Sequence, residues 1–498
     1  MNSNFRLHSK YAPQKEADNF VATVKGSPLF IVVTEPGESY LVASFRKRFP
    51  KAKLLAIRYT KELFLKEDVL FDAVWRGSFT GITSFLMNNI PDEYFSRTLF
   101  LSWKPSENIW FNEAKIVWQE IKKATNIFIS VIRTRSFFGK RWLKNIFNNI
   151  SFARNIRSLR FDLVKDSLFF ASGVSLEDFI KDNNIKKYTK KCFSLSASSS
   201  LSSLYFHGII PDVAITTDGG FWAGKHLRQV NNTLLAFPLE AFVPHFVLSS
   251  ANVLFLSYGS AIENYFFEKT SFPIFQAKRN GTVSGTAIEL LLDNTKGNIF
   301  ISGLDLSFSK GFSHARPNEN MENNFTYESR LNTFSSLLAL SSFSYYSLEV
   351  YSSWFSGLSK LKKDRLFRIG NKGIDIEGIE RILKADVPKK CKKQDIKNNY
   401  ISFDNACNFS ERIKLIFSFF SNIKEKLKDS SFFDDVMDIQ FNSIEKELCQ
   451  LVAFSDYVSL IKNCENKPHI FKKIIKDKIM DFIEVEEKRL LLTDALDF

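Results

Sequence analysis

The chain has 498 residues, more than one hydrophobic core usually organises, so we expect two or three domains. Hydrophobic residues make up 45% of it, and 52 Phe against 20 Gly and 13 Pro exclude a disordered protein. The net charge of +14 favours an acidic partner, but does not choose among nucleic acid, anionic lipid, a nucleotide-sugar and an acidic protein.

Targeting and membrane segments are not expected. Residues 1–19 are polar and lack the hydrophobic core of a signal peptide, and the longer apolar runs have the length of buried strands. We therefore expect a cytoplasmic protein without membrane insertion. The five cysteines are scattered, odd in number and without a CxxC pair, so we expect neither a disulfide framework nor a zinc site.

Residues 1–160 are predicted to form a degenerate Rossmann-like accessory domain. Apolar strands at 29–33 and 54–58 are spaced as in a βαβ unit, and a turn with Gly37 follows the first. A dinucleotide fingerprint needs several glycines, so we expect no cofactor here. The basic stretch at 133–160 is interleaved with aromatic residues. It is more typical of a solvated helix face over a core than of a nucleic-acid site, so no nucleic-acid partner is expected.

Residues 161–345 show strands that alternate with helices, the signature of an open, mainly parallel α/β sheet. The strands are predicted at 167–172, 192–197, 213–217, 234–238, 253–257 and 298–304. In such sheets ligands lie beyond the carboxyl ends of the strands, so motifs at those ends are the candidates for function.

Two motifs follow the early strands. In the first, Gly173 and Ser175 lie in a turn that opens a helix, where backbone amides can hold a phosphate, although Ser175 is equally suited to cap the helix. In the second, Asp218 precedes two glycines, at a position where a sugar hydroxyl, a ribose or a metal could meet it.

Two further motifs follow the later strands. Gly281, Thr282 and Ser284 present amides and hydroxyls at a helix start, an arrangement that suits an anion or simple capping. The last loop carries Asp305 and, beside Ser313, His314. An imidazole that titrates near neutrality can accept a proton from a hydroxyl, so these two are candidates for an acid/base or orienting pair.

Together the four segments resemble those of the motility accessory factors, a flagellin glycosyltransferase family whose core is an MptE-like domain related to 6-hydroxymethylpterin pyrophosphokinase. The match runs in register from residue 173 to residue 315. One departure is Val174, which stands where the family usually has proline. The matching segments are Gly173-Val174-Ser175-Leu176, Gly208 to Asp218, Gly281-Thr282-Val283 and Gly303 to Ala315.

The resemblance implies a Rossmann-like or GT-A-like core, similar to that of sialyltransferases, at residues 161–345. It implies transfer of a nonulosonic acid, such as pseudaminic or legionaminic acid, from a CMP-activated donor to Ser or Thr of flagellin, as flagellar assembly and motility require. Under this reading His314 is the first candidate for the base and Asp218 the second, while Asp305 orients His314 or binds the sugar. Gly173, Ser175, Gly281, Thr282, Ser284 and Ser313 would bind the donor.

No DxD-type aspartate pair is present, so we predict a transferase without cofactor or metal, in which basic residues hold the donor. Two alternatives stay open. One is a 6-hydroxymethylpterin pyrophosphokinase-like enzyme, which would use ATP and Mg²⁺ held by Asp218 and Asp305. The other is a non-catalytic flagellin-binding module.

Residues 346–498 are predicted to form a helical domain. Helical periodicity is present at 412–427 and 432–454, and five apolar residues of the first stretch lie on one helix face.

The proposed site requires one arrangement of the four motifs. Gly173, Asp218, Thr282 and His314 have to meet at one rim of a single sheet.

Overall fold

A computed structural model describes residues 6–161, 166–182, 185, 189, 192–230, 233–307, 312–319, 329–331, 333, 354–355, 357–387, 400–402, 408–434, 436–438, 442–463 and 467–494. The chain forms two compact units. The first comprises Met1–Gly139, Phe433–Ile439 and Leu448–Phe482, and the second comprises Lys140–Phe432, Gln440–Glu447 and Ile483–Phe498.

The first unit contains a four-stranded parallel sheet with the strand order β3-β2-β1-β4. The strands are β1 (Phe30–Thr34), β2 (Lys53–Ile57), β3 (Ala73–Trp75) and β4 (Thr98–Ser102). The helices in this part of the chain are α1 (Pro13–Ala22), α2 (Leu41–Arg48), α3 (Ile82–Asn89), α4 (Lys104–Ile109) and the start of α5 (Phe111–Phe152). Every residue of β1 is buried, as expected for the central part of a parallel sheet covered on both faces.

The loop that follows β1 is packed around Arg58, whose side chain is completely buried. Its guanidinium donates from Nη1 to Glu35 Oε1 at 3.0 Å and to the carbonyl of Gly37 at 2.8 Å, and from Nη2 to the hydroxyl of Ser39 at 3.1 Å. Its Nε donates to Asp68 at 3.0 Å. The carboxyl end of β1, where a Rossmann fold holds phosphates, is therefore filled by an internal side chain.

The second unit is organised by a large sheet, which has the order β14-β13-β12-β6-β7-β8-β9-β10-β5-β15 in the described residues, with β11 also paired to β10. All pairs are parallel except β15 with β5. The strands are β5 (Asn155–Leu159), β6 (Ser167–Phe170), β7 (Phe193–Ala197), β8 (Val213–Ile215), β9 (Leu234–Pro238), β10 (Asn252–Ser257), β11 (Ile274–Gln276), β12 (Ile299–Ser302), β13 (Leu366–Ile369), β14 (Glu380–Ile382) and β15 (Tyr400–Ser402).

Both faces of this sheet are buried, so successive residues of one strand enter different hydrophobic clusters. In β6, Phe169 belongs to one cluster, whereas Leu168 and Phe170 belong to the other. The helices between the strands are α6 (Leu176–Ile180), α7 (Leu201–Phe206), α8 (His245–Ser250), α9 (Ala261–Thr270), α10 (Val283–Asn294) and α11 (Lys360–Lys363). The predicted mainly parallel α/β fold is confirmed, and each of the eight predicted strands corresponds to an observed one.

The connections create a topological switch point between β6 and β12. From β6 the chain crosses the sheet in one direction through β7, β8, β9 and β10, and it then returns to place β12 on the opposite side of β6. In open α/β sheets ligands bind at such a point, so the loops that follow β6 and β12 are the first candidates for a site.

The C-terminal region is helical, as predicted, but it also supplies strands. Its helices are α12 (Phe409–Lys428), α13 (Ile444–Val452), α14 (Phe454–Lys462) and α15 (Pro468–Asp494). Helix α12 begins at a capping box of Asn408 and Glu411 and buries the predicted apolar face. Strands β13, β14 and β15 also lie beyond residue 345, and residues beyond 345 belong to both units. Residues on either side of the predicted boundary at 345 thus belong to one sheet.

Late residues complete early elements of the second unit. Strand β15 pairs with the edge strand β5, with Ile401 opposite Ser158. Arg412 in α12 donates to the carbonyls of Ile150 at 3.0 Å and Ala153 at 2.5 Å, at the C-terminal end of α5. These bonds satisfy carbonyl groups that a helix end leaves without an intrahelical partner.

Cys192, just before β7, is disulfide-bonded, which departs from the expectation drawn from cysteine spacing. Spacing along the chain gives little information here, because crossover connections bring distant segments together. Among the described residues, no helix has the length and apolar character needed to cross a membrane.

Candidate functional site

The first and fourth predicted motifs contact each other at the switch point. The Gly173 N–H donates to the carbonyl of Gly303 at 2.7 Å. A Cβ at Gly173 would lie 2.4 Å from that oxygen, and one at Gly303 would lie 2.3 Å from the carbonyl of Ala171. Both positions require glycine because the two loops touch through their backbones, and Gly303 also has a φ of +81°.

Asp305 joins these two loops. Its carboxylate is buried, and Oδ2 accepts the backbone N–H of Ser175 at 2.7 Å while Oδ1 accepts the Ser175 hydroxyl. The Ser175 amide that was a candidate for a phosphate is thus already bound by a carboxylate. The structure places Asp305 as a residue that fixes the loop positions, with both of its oxygens engaged by Ser175.

The fourth loop is fixed at a second point, beyond His314. The Ala315 N–H donates to the carbonyl of Ser172 at 2.7 Å, and the Arg316 guanidinium makes two bonds to Glu177, at 2.8 and 2.9 Å. Burial alone would raise the pKa of Glu177, but the bonds from Arg316 bring it below its ordinary value. His314 therefore lies on a loop that is held on both sides.

His314 belongs to a group of four side chains that we call the histidine cluster: His226, His314, Glu319 and Ser202. The His226 and His314 rings stack with centroids 6.4 Å apart and an interplanar angle of 27°. His226 Nδ1 lies 2.7 Å from Glu319 Oε2, and the Ser202 hydroxyl donates to Glu319 Oε1. These residues come from α7, from the segment Phe221–Leu227 after β8, and from the loop after β12, so the ends of three strands contribute.

The electrostatics of the histidine cluster give its members different charges. Burial, with the neighbouring His226 as a second cause, lowers the pKa of His314 to about 4. Burial would raise the pKa of Glu319, but the bonds from His226 and Ser202 lower it below its ordinary value. At neutral pH His314 is therefore uncharged and Glu319 is a carboxylate. The Ser313 hydroxyl lies 2.6 Å from His314 Nδ1.

Asp218 lies in an exposed turn after β8. Its Oδ1 accepts the Gly220 N–H at 2.8 Å, so part of its role is to close the turn. Gly219 packs so tightly on Trp142 that a Cβ there would lie 2.3 Å from the indole. Asn145 donates to the carbonyls of both Gly219, at 3.1 Å, and Glu240, at 2.9 Å, and so joins the loops after β8 and β9.

The third motif begins α10, where the Thr282 hydroxyl accepts the Gly285 N–H at 2.9 Å. Thr282 is therefore the helix cap, the simpler of the two roles that its sequence allows. Gly281 has a φ of +71°, which accounts for glycine at that turn, and Ser284 is partly buried in the first turn of the helix.

Arg279 precedes this motif and is a further candidate, which the motif pattern alone did not indicate. Its side chain is 45% exposed, its guanidinium lies 5.0 Å from the ring of Tyr258 and 5.9 Å from that of Trp142, and it forms an ion pair with Glu240. Glu263 lies in the same neighbourhood, and burial, then the Glu240 carboxylate, raise its pKa to about 8. The position of Arg279, directly before a turn of small residues, was the available signal.

Contacts thus connect all four motifs along the carboxyl edge of the sheet. Asp305 joins the first motif to the fourth, His226 joins the fourth to the segment that follows the second, and Glu240 with Arg279 leads to the third. His226 and Glu319 were missed in the sequence because each lies a few residues beyond the stretch that carries its motif.

Comparisons with known proteins agree with this architecture. Residues 140–311, all within the second unit, match the family model described as 6-hydroxymethylpterin diphosphokinase MptE-like. The fold is also similar to that of a MAf glycosyltransferase from Magnetospirillum magneticum AMB-1, with a TM-score of 0.50 and 12% identity over 97% of this chain and 84% of that one. The class is therefore that of proteins with an MptE-like domain and this fold, as the four motifs predicted.

Over 394 residues the chain is 31% identical to an uncharacterized protein of Treponema pallidum (strain Nichols). The aligned region covers 77% of this chain and 84% of the relative. The chain belongs to the same family as that protein.

Proposed function

We propose that this protein is a glycosyltransferase that moves a nonulosonic acid of the pseudaminic or legionaminic type from a CMP-activated donor to Ser or Thr hydroxyls of flagellin. The observation that carries the proposal is the histidine cluster. It lies at strand ends beside the switch point of the parallel sheet, most of which falls within the MptE-like match. The similar fold of the MAf glycosyltransferase supports the same reaction class.

The chemistry needs a base near the carboxyl ends of β6 and β12. As the bond between the anomeric carbon and the phosphate breaks, positive charge develops on the sugar, and the acceptor hydroxyl has to lose its proton. His314 is the candidate from the motif, and its low pKa keeps it uncharged and able to accept a hydrogen bond at neutral pH. Asp218, exposed after β8, is the second candidate.

The donor would lie along the same edge of the sheet. Because Asp305 occupies the Ser175 amide, the third motif is the better phosphate site, where Gly281 and the first turn of α10 are partly exposed. Arg279 adds a cationic side chain, 45% exposed, next to that turn, and its guanidinium is suited to the donor's carboxylate or phosphate. A cationic side chain there is consistent with a transferase that holds its donor without a metal.

Thermal-shift titration of the full chain tests the proposal. Stabilisation by CMP and by CMP-nonulosonic acids supports the transferase, and the intact mass of flagellin should then drop by the sugar in a strain that lacks the gene. The family description also favours a second candidate, a pterin pyrophosphokinase-like enzyme. Stabilisation by ATP with Mg²⁺, and not by CMP, would support that one. A response to neither nucleotide would point to a flagellin-binding module.

A further inference from the structure

We infer that His226 is the residue that removes the acceptor's proton and that Glu319, held by Ser202, positions it. This inference rests on the proposed function and goes further, because it assigns the base to a residue outside the four motifs. The observation behind it is the chain of contacts from the Ser202 hydroxyl to Glu319 and from Glu319 to His226 Nδ1.

The contact to Glu319 fixes the tautomer of His226. An ionised carboxylate only accepts hydrogen bonds, so His226 donates from Nδ1. In the neutral tautomer that makes this bond, the lone pair is on Nε2. Within the described ranges, no hydrogen bond reaches that Nε2. The side chain of His226 is 12% exposed, so the ring is mostly buried but still in contact with solvent.

Glu319 also distinguishes His226 from His314. When a histidine takes a proton, a carboxylate bonded to its other nitrogen stabilises the imidazolium. His226 has such a partner at 2.7 Å, whereas the contact of His314 Nδ1 is the neutral Ser313 hydroxyl at 2.6 Å. His314 stacks on the ring of His226. If His226 is protonated, protonation of His314 as well would place two positive charges side by side. We therefore assign His314 the role of positioning the His226 ring and shielding it from water.

The step balances without a further reactant. The acceptor oxygen bonds to the anomeric carbon while its proton passes to His226 Nε2, and the bond from the anomeric carbon to the phosphate oxygen breaks. The electron pair of that bond leaves with CMP. The imidazolium then returns its proton to water, and Glu319 stays ionised throughout.

The decisive experiment compares three variants of the full chain, with CMP-nonulosonic acid as donor and flagellin as acceptor. His226→Asn keeps an N–H for Glu319 but has no base, so we expect kcat to fall about 100-fold or more while the KM for the donor stays within about threefold. His226→Ala should show the same loss and recover activity when imidazole is added. His469→Ala removes an exposed histidine elsewhere and should behave as wild type.

A positioning role for Glu319 has its own readout. The groups that face His226 are Glu319 and His314, so Glu319→Gln leaves the imidazolium less stabilised and should shift the acidic limb of the kcat–pH profile to lower pH. An altered KM with an unchanged profile would speak for a structural role only.

The possible failures are distinguishable. Wild-type protein that neither binds CMP nor transfers sugar overturns the proposed function, and the assignment of His226 with it. Active wild type with a His226→Asn variant within threefold of it overturns the assignment alone. So does rescue by imidazole of His314→Ala but not of His226→Ala.

Discussion

The two units each contain a parallel sheet with a polar loop after its central strand, yet the loops differ in what they enclose. In the first unit the loop after β1 surrounds the guanidinium of Arg58, which is paired with Glu35 and out of contact with solvent. In the second unit the loop after β6 hydrogen-bonds to the loop after β12, and the loop after β8 to the loop after β9, while Asp218 and Arg279 remain exposed on the same edge.

The difference shows that a βαβ pattern predicts a sheet but not a site. Both sheets place turns at strand ends, where ligands bind in open α/β folds. In the first unit the Arg58 side chain fills the carboxyl end of β1, whereas in the second unit Asp218 and Arg279 are exposed at the strand ends. The glycines of the two units also differ in what they allow. Gly37 permits a turn with positive φ, whereas the touching loops of the second unit need glycine at both contact points, Gly173 and Gly303.

The largest effect is expected from removing the internal cation of the first unit. Arg58→Met leaves the buried Glu35 without its charge partner and should lower the free energy of unfolding by about 3–5 kcal/mol. Arg46→Met is the matched control, because the Arg46–Asp72 pair is more than a third exposed on both sides and should contribute less than about 1 kcal/mol. Urea denaturation measures both. Similar values for the two variants would contradict the special status of Arg58.

A smaller effect is expected where the loops of the second unit touch. Gly173→Ala places a methyl group 2.4 Å from the carbonyl of Gly303 and 2.7 Å from Asp305, so the loops must separate. We expect a loss of about 1–3 kcal/mol in unfolding free energy and a larger fall in transfer, since His314 lies on the displaced loop. Denaturation and activity assays on the same sample test this, and an unchanged activity would show that the loop contact does not support the site.

The sequence predicted the strands well because short apolar runs between turns have few alternatives, as for Phe169 and its neighbours in β6. It also placed the first and fourth motifs directly after predicted strands. It could not show that Asp305 binds Ser175, because the side chain's direction depends on the close approach of Gly173 to Gly303. Strand β11, which is three residues long, carries too little pattern to be recognised.

His226 and Glu319 illustrate a second limit of sequence reasoning. They are 93 residues apart, and their contact depends on how two long loops return to the same strand ends. A lone histidine is more often structural than catalytic, so neither residue had a local feature that marked it. By contrast, His314 lay inside a motif with a recognisable order of residues.

A pH-dependent effect on stability is expected at Glu263, because burial, and then the nearby Glu240 carboxylate, raise its pKa to about 8. Since the folded pKa lies above the unfolded value of 4.5, this group stabilises the fold at low pH, and that contribution is lost as the pH rises through 8. Glu263→Gln keeps the acceptor for the Tyr258 N–H and removes the titration. The groups that surround it are Glu240, Tyr258, Arg279 and Glu447.

Melting temperatures of the wild type and of Glu263→Gln should therefore diverge in favour of the variant between pH 5 and pH 9. Parallel curves over that range would mean that Glu263 does not titrate with a raised pKa.

The smallest effect is expected from chelation. If Arg279 and the start of α10 hold the donor, EDTA should leave transfer unchanged, and Arg279→Gln should raise the KM for the donor about tenfold or more. Activity that EDTA abolishes and Mg²⁺ restores would contradict a donor site built from side-chain cations.

The contacts of Arg412 and β15 have a consequence for how the second unit is made. The carbonyl of Ile150 accepts a hydrogen bond from a guanidinium 262 residues further along the chain, and the outer edge of β5 pairs with the strand that contains Ile401. A fragment cut to the limits of the MptE-like match would leave that edge unpaired and ready to associate with other chains. The segment that carries the motifs is therefore shorter than the segment that completes the sheet. During synthesis, β15 can pair with β5 only after the chain has been translated beyond residue 402.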